Sequence, residues 1–218
     1  AQESFALGDI VEGEITADAV EVSYTFSADE NAVIVVEMRR AEDSQLYSTA
    51  LRVTDPSGET VADSTGEVSS DVTAVAFVAP AAGDYTVTAT RSEFSDSTGT
   101  FLLRALDVTR LEAGMQVEDN ISKDSYDRYF ALPGGASVAV SYRPLDDSYV
   151  PTFRVLAADD DGILKTIALA AAIEDITTTT RLETDSDLLY IIAVTATPSD
   201  YQYSDVDTDF ELSLEAAE

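Results

Sequence analysis

The sequence predicts an all-β protein made of two tandem antiparallel β-sandwiches, and three observations lead there. Short apolar runs are separated throughout by clusters of Gly, Pro, Asp and Ser. Within them the period is two: Val20, Val22, Tyr24 and Phe26 alternate with Glu21, Ser23 and Thr25, as in a strand with one face in a core. The chain also repeats itself. LRVTDPSGETVADST (51–65) is echoed by FRVLAADDDGILKTI (153–167), each an apolar residue, Arg and Val ahead of an acidic turn containing Gly.

The repeat extends in both directions. LGDIVEGEITADAVEVSYTF (7–26) lies over LEAGMQVEDNISKDSYDRYFAL (111–132), with Ile15 on Ile121, Asp18 on Asp124, Tyr24 on Phe130 and Phe26 on Leu132. The β-branched runs NAVIVVEM (31–38) and ASVAVSYR (136–143) come next, each followed by a polar loop leading to Tyr47 or Tyr149. Beyond the hairpin, DVTAVAFVAP (71–80) matches DITTTTRLET (175–184), YTVTATRS (85–92) matches YIIAVTATPS (190–199), and TGTFLLRAL (98–106) matches TDFELSLEA (208–216). Matched positions stay 102 to 109 residues apart, which fits a pair of domains, 1–107 and 108–218, and is too long for a solenoid. One stretch, LKTIALAAAIED (164–175), has helical character, but its counterpart ETVADSTGEVSSD (59–71) carries Gly and Ser, so a strand followed by a loop is expected. The run Thr177 to Thr180 reads as an exposed strand. The expected core of the first sandwich is Tyr24, Phe26, Val53, Phe77, Tyr85, Val87, Phe101 and Leu103. That of the second is Phe130, Leu132, Phe153, Val155, Tyr190, Ile192, Phe210 and Leu212.

Several of these residues form a pattern that resembles the bacterial pre-peptidase C-terminal domain. The first copy carries Asp55, Pro56 and Gly58 in the hairpin, then Pro80, Gly83 and Tyr85 in PAAGDY, and finally Gly99, Phe101 and Leu103. The second keeps Asp159, Gly162, Tyr190, Phe210 and Leu212 but replaces PAAGDY with TDSDLLY. The resemblance implies two small secreted jelly-roll-like sandwiches. It further implies an accessory role beside a hydrolase, in substrate binding or secretion, with calcium a ligand of some related domains. The motifs are turns and core positions, so they bear on fold and not on chemistry.

Composition narrows the function. The 42 acidic residues against 12 basic ones give a net charge of -30, which repels nucleic acid and anionic membrane surfaces. There is no Cys and no His, so Ser-His-Asp and Cys-His catalysis and the usual zinc sites cannot be built. DSTGE (63–67) and DSTGT (96–100) have an extra residue relative to the Asp-Thr-Gly of aspartic proteases and fall in expected turns. The chain is therefore expected not to be an enzyme. No apolar run reaches the ~18 residues of a membrane-spanning helix, and an acid-rich, Cys-free composition suits a protein exported to the surface or surroundings of a bacterium or archaeon.

The ligand expected on chemical grounds is calcium, held by Asp205, Asp207 and Asp209 in SDVDTDFE or by Asp159 and Asp161 in ADDDG. Candidate partner contacts are Tyr201 and Tyr203, which could stack on a sugar, and Phe5, Leu7 and Ile10 in a terminal segment that could add a strand to a neighbour. NIS (120–122) fits the N-glycosylation acceptor pattern. Two function classes follow. One is a self-associating structural subunit of an extracellular coat, sheath or filament. The alternative is an accessory module that binds a polysaccharide or protein for a secreted hydrolase.

Overall fold

The computed structural model describes residues 3–67, 71–123, 125–145, 151–171, 177–196 and 206–217, and among them there is no helix. The chain forms two compact units, Ala1–Val108 with Ala158–Leu164, and Thr109–Ala157 with Lys165–Glu218. The first contains β1 (Glu3–Ser4), β2 (Val11–Ile15), β3 (Glu21–Ala28), β4 (Val33–Arg40), β5 (Thr49–Thr54), β6 (Thr60–Asp63), β7 (Val72–Val78), β8 (Gly83–Arg91) and β9 (Gly99–Asp107). Then follow β10 (Thr109–Arg110), β11 (Gln116–Ser122), β12 (Arg128–Leu132), β13 (Ser137–Pro144), β14 (Thr152–Ala158), β15 (Leu164–Ala171), β16 (Thr178–Glu183), β17 (Leu189–Thr195) and β18 (Asp207–Ala216).

The two copies share one topology, strand for strand. The sheets β1-β3-β8-β5-β6 and β2-β9-β4-β7 recur as β10-β12-β17-β14-β15 and β11-β18-β13-β16. Even the unusual pairing repeats: β1 runs parallel to β3 with Glu3 opposite Tyr24, and β10 runs parallel to β12 with Thr109 opposite Phe130. Tyr24 and Phe130 are the residues the sequence alignment superposes.

Each unit has its own apolar core between its two sheets. All sixteen residues expected there are buried, none more than 6% exposed. Alternation is what puts them inside, because every second side chain of a strand points to the same face. Phe26 stacks on Tyr85 at 5.7 Å between ring centroids, and Tyr142 on Phe153 at 5.5 Å. The inward face of the alternating pattern starts two residues later than expected: Val20, just ahead of β3, is 39% exposed, whereas Val22 packs against the core. LKTIALAAAIED begins as the strand β15, as expected, while 172–176 lie outside the described residues. Thr178 to Thr180 of the threonine run lie in the edge strand β16, whose burial alternates residue by residue.

The family-like motifs organise the turns. Asp55 Oδ1 accepts hydrogen bonds from the backbone N–H groups of Ser57 and Glu59, both at 2.9 Å, and from the Ser57 hydroxyl at 2.7 Å. Asp159 Oδ1 does the same for Asp161 N and Ile163 N, at 3.1 and 2.9 Å. Gly83, with φ of 146°, lies so close to the Pro56 ring that a Cβ there would overlap it. The Tyr85 hydroxyl donates back to Ala81 O at 2.6 Å, and the Tyr190 hydroxyl accepts from Asp185 N at 3.1 Å. Within the first unit, the turn 158–164 is held by backbone bonds from Asp63 N to Asp161 O and from Ala76 N to Gly162 O.

Sequence reading gave no sign of the ion cluster on β4 and β9. Glu37, Arg39 and Arg104 are only 2%, 3% and 4% exposed. Glu37 Oε1 lies 3.3 Å from Arg39 Nη2 and its Oε2 lies 3.1 Å from Arg104 Nη2. Glu37 and Arg104 are direct cross-strand partners, so pairing of β4 with β9 is what joins them.

Candidate functional site

A polar cleft of about 370 Å³ opens on the first unit. It collects the start of β3 (Val20, Glu21), Arg52 of β5, Thr65 just past β6, Thr90 and Arg91 at the end of β8, and Ser92, Glu93, Ser95 and Asp96 of the following loop.

Arg52 is fixed from below. Its Nε donates to Asp63 Oδ2 at 2.8 Å, and its Nη2 reaches Thr65 Oγ1 at 3.4 Å. The other Asp63 oxygen accepts from the Thr65 hydroxyl at 2.6 Å and the Thr65 N–H at 2.9 Å. Burial pushes the Asp63 carboxyl up, but the Thr65 and Arg52 hydrogen bonds outweigh it, and its pKa lies below the ordinary value. The Asp63 bond in turn raises the Arg52 pKa, so both groups stay charged.

The loop after β8 is tied together by its own serines. Ser92 Oγ donates to Glu67 O at 2.7 Å, Ser97 N donates to Ser95 Oγ at 3.1 Å, and Arg91 Nη1 donates to Ser97 O at 3.1 Å. These bonds brace the loop with side-chain contacts to its own backbone and to Glu67. Phe94 contributes nothing to that framework through its ring, which stands 68% exposed. Nearby in the fold, Tyr47 N donates to Ser97 Oγ at 3.2 Å, and the Tyr47 ring is 51% exposed under the Arg40 guanidinium, 5.2 Å from its centre.

Two guanidiniums, three carboxylates and several hydroxyls therefore share a small volume. Arg52 and Arg91 are already engaged, Arg91 loosely at 3.8 Å from the exposed Asp96. A surplus of carboxylates disfavours an anionic ligand, and alternating donors and acceptors suit a neutral polyhydroxyl one. In the second copy the loop that would correspond to 92–98 lies outside the described residues. Arg154, at the place of Arg52, donates to the Thr195 hydroxyl at 3.2 Å instead of a carboxylate. Six residues beyond Tyr190, where the first copy has Arg91 beyond Tyr85, the chain has Ala196.

The residues expected from sequence fall elsewhere. Phe5 and Leu7 pack against the core of their own unit, Phe5 at 5.8 Å from Phe26, while Ile10 is 40% exposed. Tyr201, Tyr203 and Asp205 lie outside the described residues. Asp207 and Asp209, exposed on β18, are drawn together by Asn120, whose Nδ2 lies 3.0 and 2.9 Å from their Oδ1 atoms. Asn120 is the acceptor position of NIS, so its amide is engaged in cross-strand bonding. The turn accounts for one Asp159 oxygen without an ion, and among the described residues no group of three acidic side chains is placed to hold a metal. The polar cleft was missed because its residues come from four separate segments; the one usable signal was Phe94, an apolar ring inside a serine-rich loop.

No family model matches the chain, and no curated protein matches it. Among solved structures it is similar to the pre-peptidase C-terminal domain of a collagenase from Bacillus anthracis, the family that the motifs resemble, at 15% identity and a TM-score of 0.40, covering 48% of this chain and 94% of that one. It is also similar to the N-terminal CBM22-1-CBM22-2 tandem domain of Paenibacillus barcinonensis Xyn10C, at 11% identity and a TM-score of 0.30, covering 88% of this chain and 82% of that one. A third likeness is to the plant receptor-like kinase ANX2, at 6% identity and a TM-score of 0.30, covering 95% and 83% of the two chains.

Proposed function

We propose that the chain is a non-catalytic, exported accessory module whose first unit binds a neutral polysaccharide at the polar cleft. The observation that carries this reading is Phe94, a 68% exposed ring in a loop braced by its serines, next to a cleft rich in donors and acceptors. Burying an exposed ring against a sugar face gains apolar contact, and the cleft supplies directional bonds to hydroxyls.

Affinity electrophoresis in gels containing xylan, mixed-linkage glucan or galactomannan tests the reading. At least one should retard the protein, and Phe94→Ala should abolish the retardation without changing the melting temperature. Free migration in all of them, or equal retardation of the variant, overturns it.

Self-association into a coat, sheath or filament is the second reading. It is favoured by β16, an edge strand without Lys or Pro, paired only with β13 among the described residues. Concentration-dependent sedimentation and filaments in electron micrographs would support it, and a monomer at every concentration would remove it.

A further inference from the structure

The first unit has a second surface feature, an incompletely covered strand edge. β3 is eight residues long and β1 only two. β1 accompanies β3 at Tyr24 and Thr25, and the bond from Phe5 N to Thr25 O, at 3.0 Å, ends the pairing. The chain then turns away: Asp9 N donates to Ala6 O at 3.0 Å, and Gly8, with φ of 91°, donates to Ala105 O. Among the described residues no strand accompanies β3 beyond Thr25 on that side.

Backbone groups of successive strand residues point to opposite edges. The Thr25 carbonyl faces β1, so the N–H and C=O of Ser27 face the same way, into the uncovered stretch. There a groove of about 660 Å³ runs between the strand edge at Thr25, Phe26 and Ser27 and the departing segment with Phe5 and Leu7. Asp9 and Asp84 also line it, and no Lys or Arg does. The Asp84 carboxylate accepts from the Ser27 hydroxyl at 2.6 Å, which places a negative charge beside the open backbone groups.

We propose that this groove takes an extended segment of a basic protein, which adds as a strand along β3 at Ser27. Cationic side chains of the segment meet Asp9 and Asp84, and the apolar ones between them lie on Phe5 and Leu7. The period of two in a bound strand is what presents both kinds of side chain to their own partners. Charge decides against a second copy as the occupant: a chain with a net charge of -30 and only two Lys repels itself and has few cations to offer. The groove shares no residue with the polar cleft, so the proposal is independent of polysaccharide binding.

The test uses the whole chain labelled with ¹⁵N and the peptide acetyl-TKVKVT-amide. Saturable amide shifts are expected at Phe5, Leu7, Ser27 and Asp84, and the acidic counterpart acetyl-TEVEVT-amide should produce none. Ser27→Pro removes the edge N–H, which faces away from β8, and should weaken binding at least tenfold. The joint replacement Asp9→Asn and Asp84→Asn should do the same while the fold is kept, and it decides the matter if Ser27→Pro does not fold. Absence of binding, shifts scattered over other acidic turns, or affinity unchanged in the double variant overturns the proposal. So does dimerisation of the free protein that the double variant abolishes, which would assign the groove to a second copy.

Discussion

Asp63 shows how one side chain serves both fold and candidate site. Its carboxylate is held by Arg52 and Thr65, and its pKa is lowered from the ordinary 3.8. The folded state therefore binds fewer protons than the unfolded one near that pH, so the stabilisation is present above about pH 4 and fades as pH falls through the lowered value. Asp63→Asn is expected to cost about 1 kcal/mol at pH 6, given the partial exposure of the pair. The gap from the parent in urea unfolding should narrow as pH falls below the ordinary carboxyl value; a gap that stays constant with pH would show that the charge is not the cause. Asp207 and Asp209 differ in that their bridge is the neutral Asn120 amide. A calcium ion on both carboxylates would share them with that amide or displace it. If one binds, adding calcium after chelation raises the melting temperature of the parent and not of the Asp207→Asn and Asp209→Asn double variant; flat calorimetric heats for the parent would remove calcium from this site.

At the scale of elements, the strands differ in how much of themselves the sequence discloses. β3 and β18 follow period-two patterning, and their inward residues are the expected ones. Phe101 on β9 and Phe210 on β18 occupy matching places and are fully buried, so truncating either to Ala should cost roughly 3 to 5 kcal/mol in chemical denaturation. A loss under 1 kcal/mol would mean that the surrounding strands collapse into the space. β4 behaves differently, with seven of its eight residues buried and no alternation of exposure at all. Its Glu37 is legible as polar but not as buried, because burial is set by what pairs and packs around the strand. Removing that carboxylate by Glu37→Gln takes away a charge that two buried guanidiniums both contact. The expected cost is about 3 to 5 kcal/mol, larger than for any exposed acid in the chain. An unfolding midpoint like that of the parent would show that water or another group already compensates the arginines.

For the whole molecule the governing quantity is charge. A net charge of -30 over 218 residues opposes compactness through self-repulsion, and salt screens it. Because the Debye length shrinks from about 30 Å at 0.01 M salt to about 10 Å at 0.1 M, the melting temperature should rise by several degrees over that range. The rise should also appear with a monovalent salt alone. A melting temperature independent of salt would mean that the acidic side chains lie too far apart to matter.

The sequence by itself determined the duplicated all-β architecture, the matching of Tyr24 with Phe130 and of Phe101 with Phe210, and both cores. These are consequences of local periodicity and of turn residues such as Asp55, which bonds the backbone of Ser57 and Glu59. Tertiary structure alone decided the rest. The polar cleft brings Arg52, Thr65 and Arg91 together from three separate segments, the Glu37 cluster depends on the register of β4 against β9, and the groove exists because β1 leaves β3 after Thr25. Each depends on which residues distant in sequence become neighbours, and strand pairing fixes that only when the whole sheet has formed.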